Sequence, residues 1–94
     1  MTQVMVRHKV NDYETWKKEF DNFADFRKSS GELSYRIMTP GDDQNNLHLI
    51  FEWDDVENAR KFMESPELKM TMKKAGVAEK PEIKFLKITD HGKP

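Results

Sequence analysis

The 94 residues include 16 Lys and Arg against 17 Asp and Glu, a formal net charge of −1, with 35% charged and 36% apolar residues. A chain of this size makes one small domain over residues 1–94, and its modest apolar share points to help from a second subunit. The balanced charge lacks the basic footprint of a nucleic-acid binder, and the absence of Cys excludes disulfides, a thiolate nucleophile and Cys-ligated metals.

Residues 1–8, Met-Thr-Gln-Val-Met-Val-Arg-His, contain no apolar run of the length a signal peptide or membrane span needs, so a cytoplasmic protein is expected. Val4, Val6, His8 and Val10 alternate with Met5, Arg7 and Lys9, the period of a half-buried strand. Asn11, with Glu14 three residues on, reads as the cap of a helix that carries Tyr13, Trp16, Phe20, Phe23 and then Phe26 or Arg27 on one face. Four turns of helix end at Gly31, which suits the left-handed residue after a helix.

Leu33–Thr39 and Leu47–Trp53 alternate again around the polar turn Pro40–Asn46, predicting a hairpin. Asp54 with Glu57 repeats the cap signature before Val56, Ala59, Phe62 and Met63. Ser65-Pro66-Glu67 caps a second piece, so this helix is expected to break near Ser65 and stop at Gly76. Ile83–Ile88 forms the last strand, and residues 90–94 read as a frayed tail. The order β-α-β-β-α-β predicts an α+β, ferredoxin-like fold with a four-stranded antiparallel sheet, first and third strands central, and both helical segments on one face.

Strand parity then divides the sheet. Val4, Val6, His8, Val10, Leu33, Tyr35, Ile37, Leu47, Leu49, Phe51, Trp53, Ile83 and Phe85 are assigned to the helix-covered side. The opposite side carries Met5, Arg7, Arg36, Met38, His48, Ile50, Glu52 and Leu86, too apolar for a fully wetted face and too charged for an ordinary core. Two protomers packed sheet to sheet would bury its aliphatic members and let Arg7, Arg36 and Glu52 pair; a solvated face with scattered apolar residues is the alternative. The interface expected is Arg7, Arg36, Met38, His48, Ile50 and Glu52.

The runs Val6–Trp16, Phe51–Asp55 leading into Ala59–Phe62, Ser65–Leu68 and Lys74–Val77 resemble small proteins of the dimeric α+β barrel superfamily, which includes the antibiotic-biosynthesis monooxygenase domains. The resemblance spans residues 4–88 and implies two protomers forming one dimeric α+β barrel. It also implies cofactor-independent oxygenase or isomerase chemistry on an aromatic molecule, or a non-catalytic ligand-binding or regulatory homodimer, since fold does not settle activity. Haem-degrading relatives use an Asn on the first strand and a Trp and His on the second helical region. This chain has no Asn between Val4 and Val10, and no Trp or His from Asp54 to Gly76.

His8 is the candidate catalytic residue, an imidazole among valines beneath the aromatic helix face. It reads as the polar group of a pocket formed with Trp16, Phe20, Phe23, Tyr35, Phe51 and Met63, where it acts as hydrogen-bond partner or general base toward a small aromatic or apolar ligand. A core histidine satisfied by a helix residue or water fits the same placement, and the aromatic stripe also fits plain core packing. Tyr35 and Trp53 each bring one polar handle that could enter the pocket. No metal or cofactor is expected. His8 and His48 fall on opposite faces, and neither a two-histidine metal spacing nor a Gly-rich phosphate loop occurs.

Overall fold

The computed structural model describes all 94 residues. Strand β1 spans Thr2–Lys9, and helices α1 (Tyr13–Asn22) and α2 (Ala24–Ser30) follow it. Strands β2 (Glu32–Met38) and β3 (Asn46–Trp53) form the hairpin; α3 (Val56–Met63), α4 (Pro66–Lys74) and β4 (Glu82–Lys87) complete the chain. The sheet is antiparallel throughout with order β2-β3-β1-β4, so the first and third strands are central, as the ferredoxin-like pattern requires. The helices cover one face, and the core is built from Val4, Val6, Leu47, Leu49, Phe51 and Trp53 beneath Trp16, Phe20, Ala59 and Phe62.

Three local expectations are corrected. The caps lie one residue later than assigned: the Asp12 carboxylate accepts from the Thr15 N–H at 2.9 Å, and that of Asp55 from the Asn58 N–H at 2.9 Å. In both Asn11-Asp12 and Asp54-Asp55 either neighbour satisfies the cap chemistry, so composition alone does not choose between them. Ser65 does cap α4, accepting from the Leu68 N–H at 3.2 Å with Pro66 in the first turn.

The first helix is not continuous. It breaks at Phe23 (φ −91°, ψ 2°), where the Phe20 carbonyl accepts from the Phe23 N–H at 3.3 Å and from the Arg27 guanidinium. Finally, Leu33 is not on the helix-covered face. The β2–β3 register shifts between Glu32 and Ser34, so Leu33 is the extra residue of a bulge, 52% exposed, and Glu32 takes the place opposite Trp53.

Gly31 ends α2 with φ 125°, and a Cβ there would sit 2.5 Å from an Asp54 carboxylate oxygen, so this junction admits only glycine. The Asp54 N–H donates to the Gly31 carbonyl at 3.0 Å, tying the end of α2 to the end of β3. At the other end of the sheet the β1–β4 ladder runs to Arg7 opposite Glu82. It resumes only as a bridge between Val10 and Val77, with Pro81, which has no N–H to donate, in the gap.

Candidate functional site

β1 alternation turns His8 toward the helices, opposite Leu47 on β3. The residue is 7% exposed, and the Trp16 indole stands edge-on to its ring at 6.0 Å. Burial disfavours the charged form and lowers its pKa to about 4, so the imidazole is neutral at physiological pH. Neither ring nitrogen has a hydrogen-bond partner in the chain. A neutral imidazole carries one N–H donor and one lone pair, so both kinds of hydrogen bond are open to a ligand.

His8 forms part of the wall of a cavity of about 70 Å³ between sheet and helices. Val6, Leu49, Phe51 and Ile83 make its floor, Trp16, Phe20, Phe23 and Arg27 its α1–α2 wall, and Phe62, Met63, Leu68, Thr71, Met72 and Ala75 its α3–α4 roof. The Trp16 and Phe20 rings stack at 4.8 Å, with Phe20 6.2 Å from Phe51. The structure thus brings together His8, Trp16, Phe20, Phe23, Phe51 and Met63.

Two of the expected polar handles lie elsewhere. Tyr35, on the edge strand β2, is 41% exposed and sets its ring edge-on against Phe20 at 5.0 Å, outside the cavity lining. Trp53 is fully buried against Phe62 at 5.0 Å, also outside the lining, and its indole N–H has no partner in the chain.

Arg27 enters the wall in their place. It is 3% exposed, with Nε donating to Glu32 Oε1 at 2.9 Å, Nη1 donating to the Phe20 carbonyl, and the guanidinium 3.7 Å above the Phe20 ring. Burial pushes the Glu32 carboxyl up, against the downward pull of Arg27. The signal for Arg27 was its spacing, seven residues after Phe20 and four after Phe23, which places a cation on the aromatic face. Its choice over Phe26 depended on the helix break and the β2 bulge. The finished cavity is apolar except for a neutral imidazole beside Trp16, a paired guanidinium on Phe20, and the Thr71 hydroxyl.

On the opposite face no helix covers the sheet. Arg7, His48 and Met38 line up across β1, β3 and β2, as do Met5, Ile50 and Arg36, while Glu52 accepts from Gln3 Nε2 at 3.3 Å. Arg7, Arg36 and Glu52 form no ion pair within the chain.

Solved structures share this arrangement over nearly the whole chain. An antibiotic biosynthesis monooxygenase aligns with a TM-score of 0.73 at 10% identity, covering 96% of this chain and 100% of that one. SnoaB, a cofactor-independent oxygenase from Streptomyces nogalater, aligns at 0.78 and 16% identity over 96% and 94% of the two chains. The chain has the antibiotic-biosynthesis-monooxygenase fold. A protein of unknown function from Nitrosomonas europaea has it too, with a TM-score of 0.71 at 9% identity over 99% and 93%. No protein-family model and no curated protein matches the sequence. Identities this low establish the monooxygenase fold and leave activity to the residues of the site. No helix is long and apolar enough to cross a membrane.

Proposed function

We propose that the chain is a homodimer whose protomers each bind a small aromatic or apolar organic molecule in the cavity between sheet and helices. There it carries out cofactor-independent oxygenation or isomerisation, with His8 as the proton acceptor. The observation that carries this reading is the buried, uncharged His8 imidazole with both nitrogens free of protein partners, on the wall of an otherwise apolar cavity. Such a group takes a proton from an activated ring carbon, giving an imidazolium beside a delocalised carbanion. The nearby anion favours the charged imidazole and offsets the burial that makes it a weak base in the free protein. For an isomerase the proton returns at another carbon. For an oxygenase, a ring methylene and dioxygen end as a ring carbonyl and water.

A second reading, a non-catalytic ligand-binding or regulatory homodimer, draws on the cavity's size. Benzene occupies a cavity of roughly 150 Å³, about twice the 70 Å³ found here, so an aromatic ligand must displace roof side chains. Met63 and Met72, flexible and polarisable, suit that displacement.

Native mass spectrometry of gently purified protein tests both parts together. A dimer carrying a small-molecule mass is the expected result, and a monomer would overturn the assembly. If His8→Ala changes neither affinity for that molecule nor its turnover in air, His8 has no catalytic part. Conversion by the wild type that stops without dioxygen separates oxygenase from binder. Placing Glu at Ile50, on the uncovered face, is expected to give monomer or unfolded chain by size exclusion, because an unpaired carboxylate is costly in an interface. An intact dimer would remove that face from the assembly.

A further inference from the structure

The space between sheet and helices is sized for something smaller than the rings in its walls. Its volume is about 70 Å³, against the roughly 150 Å³ that admits benzene and the roughly 30 Å³ that one water molecule occupies in the liquid. A molecule of two heavy atoms matches it. The lining sets the chemistry of that molecule. Of the 16 residues around the space 12 are hydrophobic, and only His8, Arg27 and Thr71 among them carry polar side-chain atoms. The Arg27 guanidinium already donates to Glu32 and to the Phe20 carbonyl. Buried water makes about three hydrogen bonds, which an aliphatic and aromatic lining does not supply. A small apolar molecule, in contrast, leaves water at no loss and gains dispersion contacts, with the polarisable Met63 and Met72 among its neighbours.

We infer that this preformed space is a dioxygen site, filled before any organic ligand displaces the roof. That the diatomic molecule is dioxygen rests on the oxygenation proposed above; that the space takes such a molecule rests on its size and lining alone. An order of events follows. The gas enters a space that the free protein already has, bordered by His8, whereas the larger molecule has to move α4, which buries none of its residues. The oxidant is then in place beside the proposed base when the organic molecule arrives.

Dioxygen itself is the probe, because it is paramagnetic and speeds the relaxation of nuclei close to it. Methyl relaxation in the full-length protein is measured by NMR under dioxygen pressure and again under the same pressure of nitrogen. Val6 and Leu49 line the cavity, whereas Val4 and Leu47 are buried in the same sheet and do not. The dioxygen-dependent relaxation is expected to be several-fold larger at Val6 and Leu49. Burial alone gives equal effects at all four. Ala75→Leu enlarges a buried side chain of the lining and should bring Val6 and Leu49 down to the level of Val4 and Leu47. If overpacking unfolds that variant, Thr71→Leu makes the same test from a half-buried position of the lining.

Equal relaxation at the four residues overturns the inference. So does an enhancement that survives filling of the cavity, since the gas would then lie elsewhere. Enhancement in a protein that neither retains nor converts an organic molecule in air keeps the site and removes the oxygenation reading. Turnover in air with equal relaxation keeps that reading and removes the site.

Discussion

The two helical arms that enclose the cavity are built differently. The α1–α2 arm contributes Trp16, Phe20 and Arg27, all buried, and its rings stack while Arg27 ties Phe20 to Glu32 across the helix break. The α3–α4 arm buries Ala59 and Phe62 on α3, but no residue of α4; Leu68, Thr71 and Met72 cover the cavity half-buried. One wall is a fixed aromatic surface and the other a loosely seated cover. In a fold whose cavity is smaller than one benzene ring needs, that asymmetry makes α4 the side that the proposed ligand would displace.

Removing side chains from each arm is the sharpest way to break this comparison. Trp16→Ala should cost about 3–5 kcal/mol of stability, as large buried aromatics do, whereas Leu68→Ala should cost about 1 kcal/mol or less because its site is only half enclosed. Chemical denaturation measures both, and equal losses would mean that α4 is as firmly packed as α1.

The pH dependence probes the fixed wall from the side of His8. The pKa of His8 is about 4 in the folded protein against an ordinary 6.5, so between these values the unfolded chain binds more protons. Its contribution is therefore complete above about pH 6.5 and is lost as pH falls toward 4, amounting to about 3 kcal/mol. Glu32, whose carboxyl is pushed up, acts in the opposite direction, so the His8 effect is the difference between wild type and His8→Phe. Identical slopes for the two proteins would show that His8 is not desolvated. The smallest expected effect is in amide hydrogen exchange, where α4 should exchange faster than α1 under native conditions. Equal protection of the two helices would erase the difference between the arms.

Local chemistry made much of the fold legible. Alternation in β1 and β3 assigned His8, Leu49 and Phe51 to one face and Arg7, His48 and Ile50 to the other, and the strand pairing agrees. Ser65-Pro66 marked a helix start, and Gly76 has the positive φ (75°) expected just after α4. What stayed hidden depends on contacts between distant parts of the chain. Phe23 is neither Gly nor Pro, and the contact found at the break, Arg27 on the Phe20 carbonyl, joins residues seven apart in the chain. The bulge at Leu33 has no turn residue to announce it beyond Gly31, and it exchanges a leucine for a glutamate opposite Trp53. Arg27 became recognisable as part of the site only when both irregularities were in place, since together they deliver Glu32 to its guanidinium. Tyr35 was misplaced for a simpler reason: parity fixes the face of a strand residue but not its distance from the sheet edge.

The far end of α4 is held more firmly than its middle. The Asn11 N–H donates to the Gly76 carbonyl at 2.9 Å and the Ala78 N–H to the Lys9 carbonyl at 2.8 Å, stitching the chain after α4 to the end of β1. If the cavity takes a ligand as proposed, a helix anchored there and loosely seated along its length would open by swinging and return to the same place. Ligand entry would then wait on the protein's own clock: the rate of association would rise with ligand concentration only to a ceiling, the same for every molecule that fits.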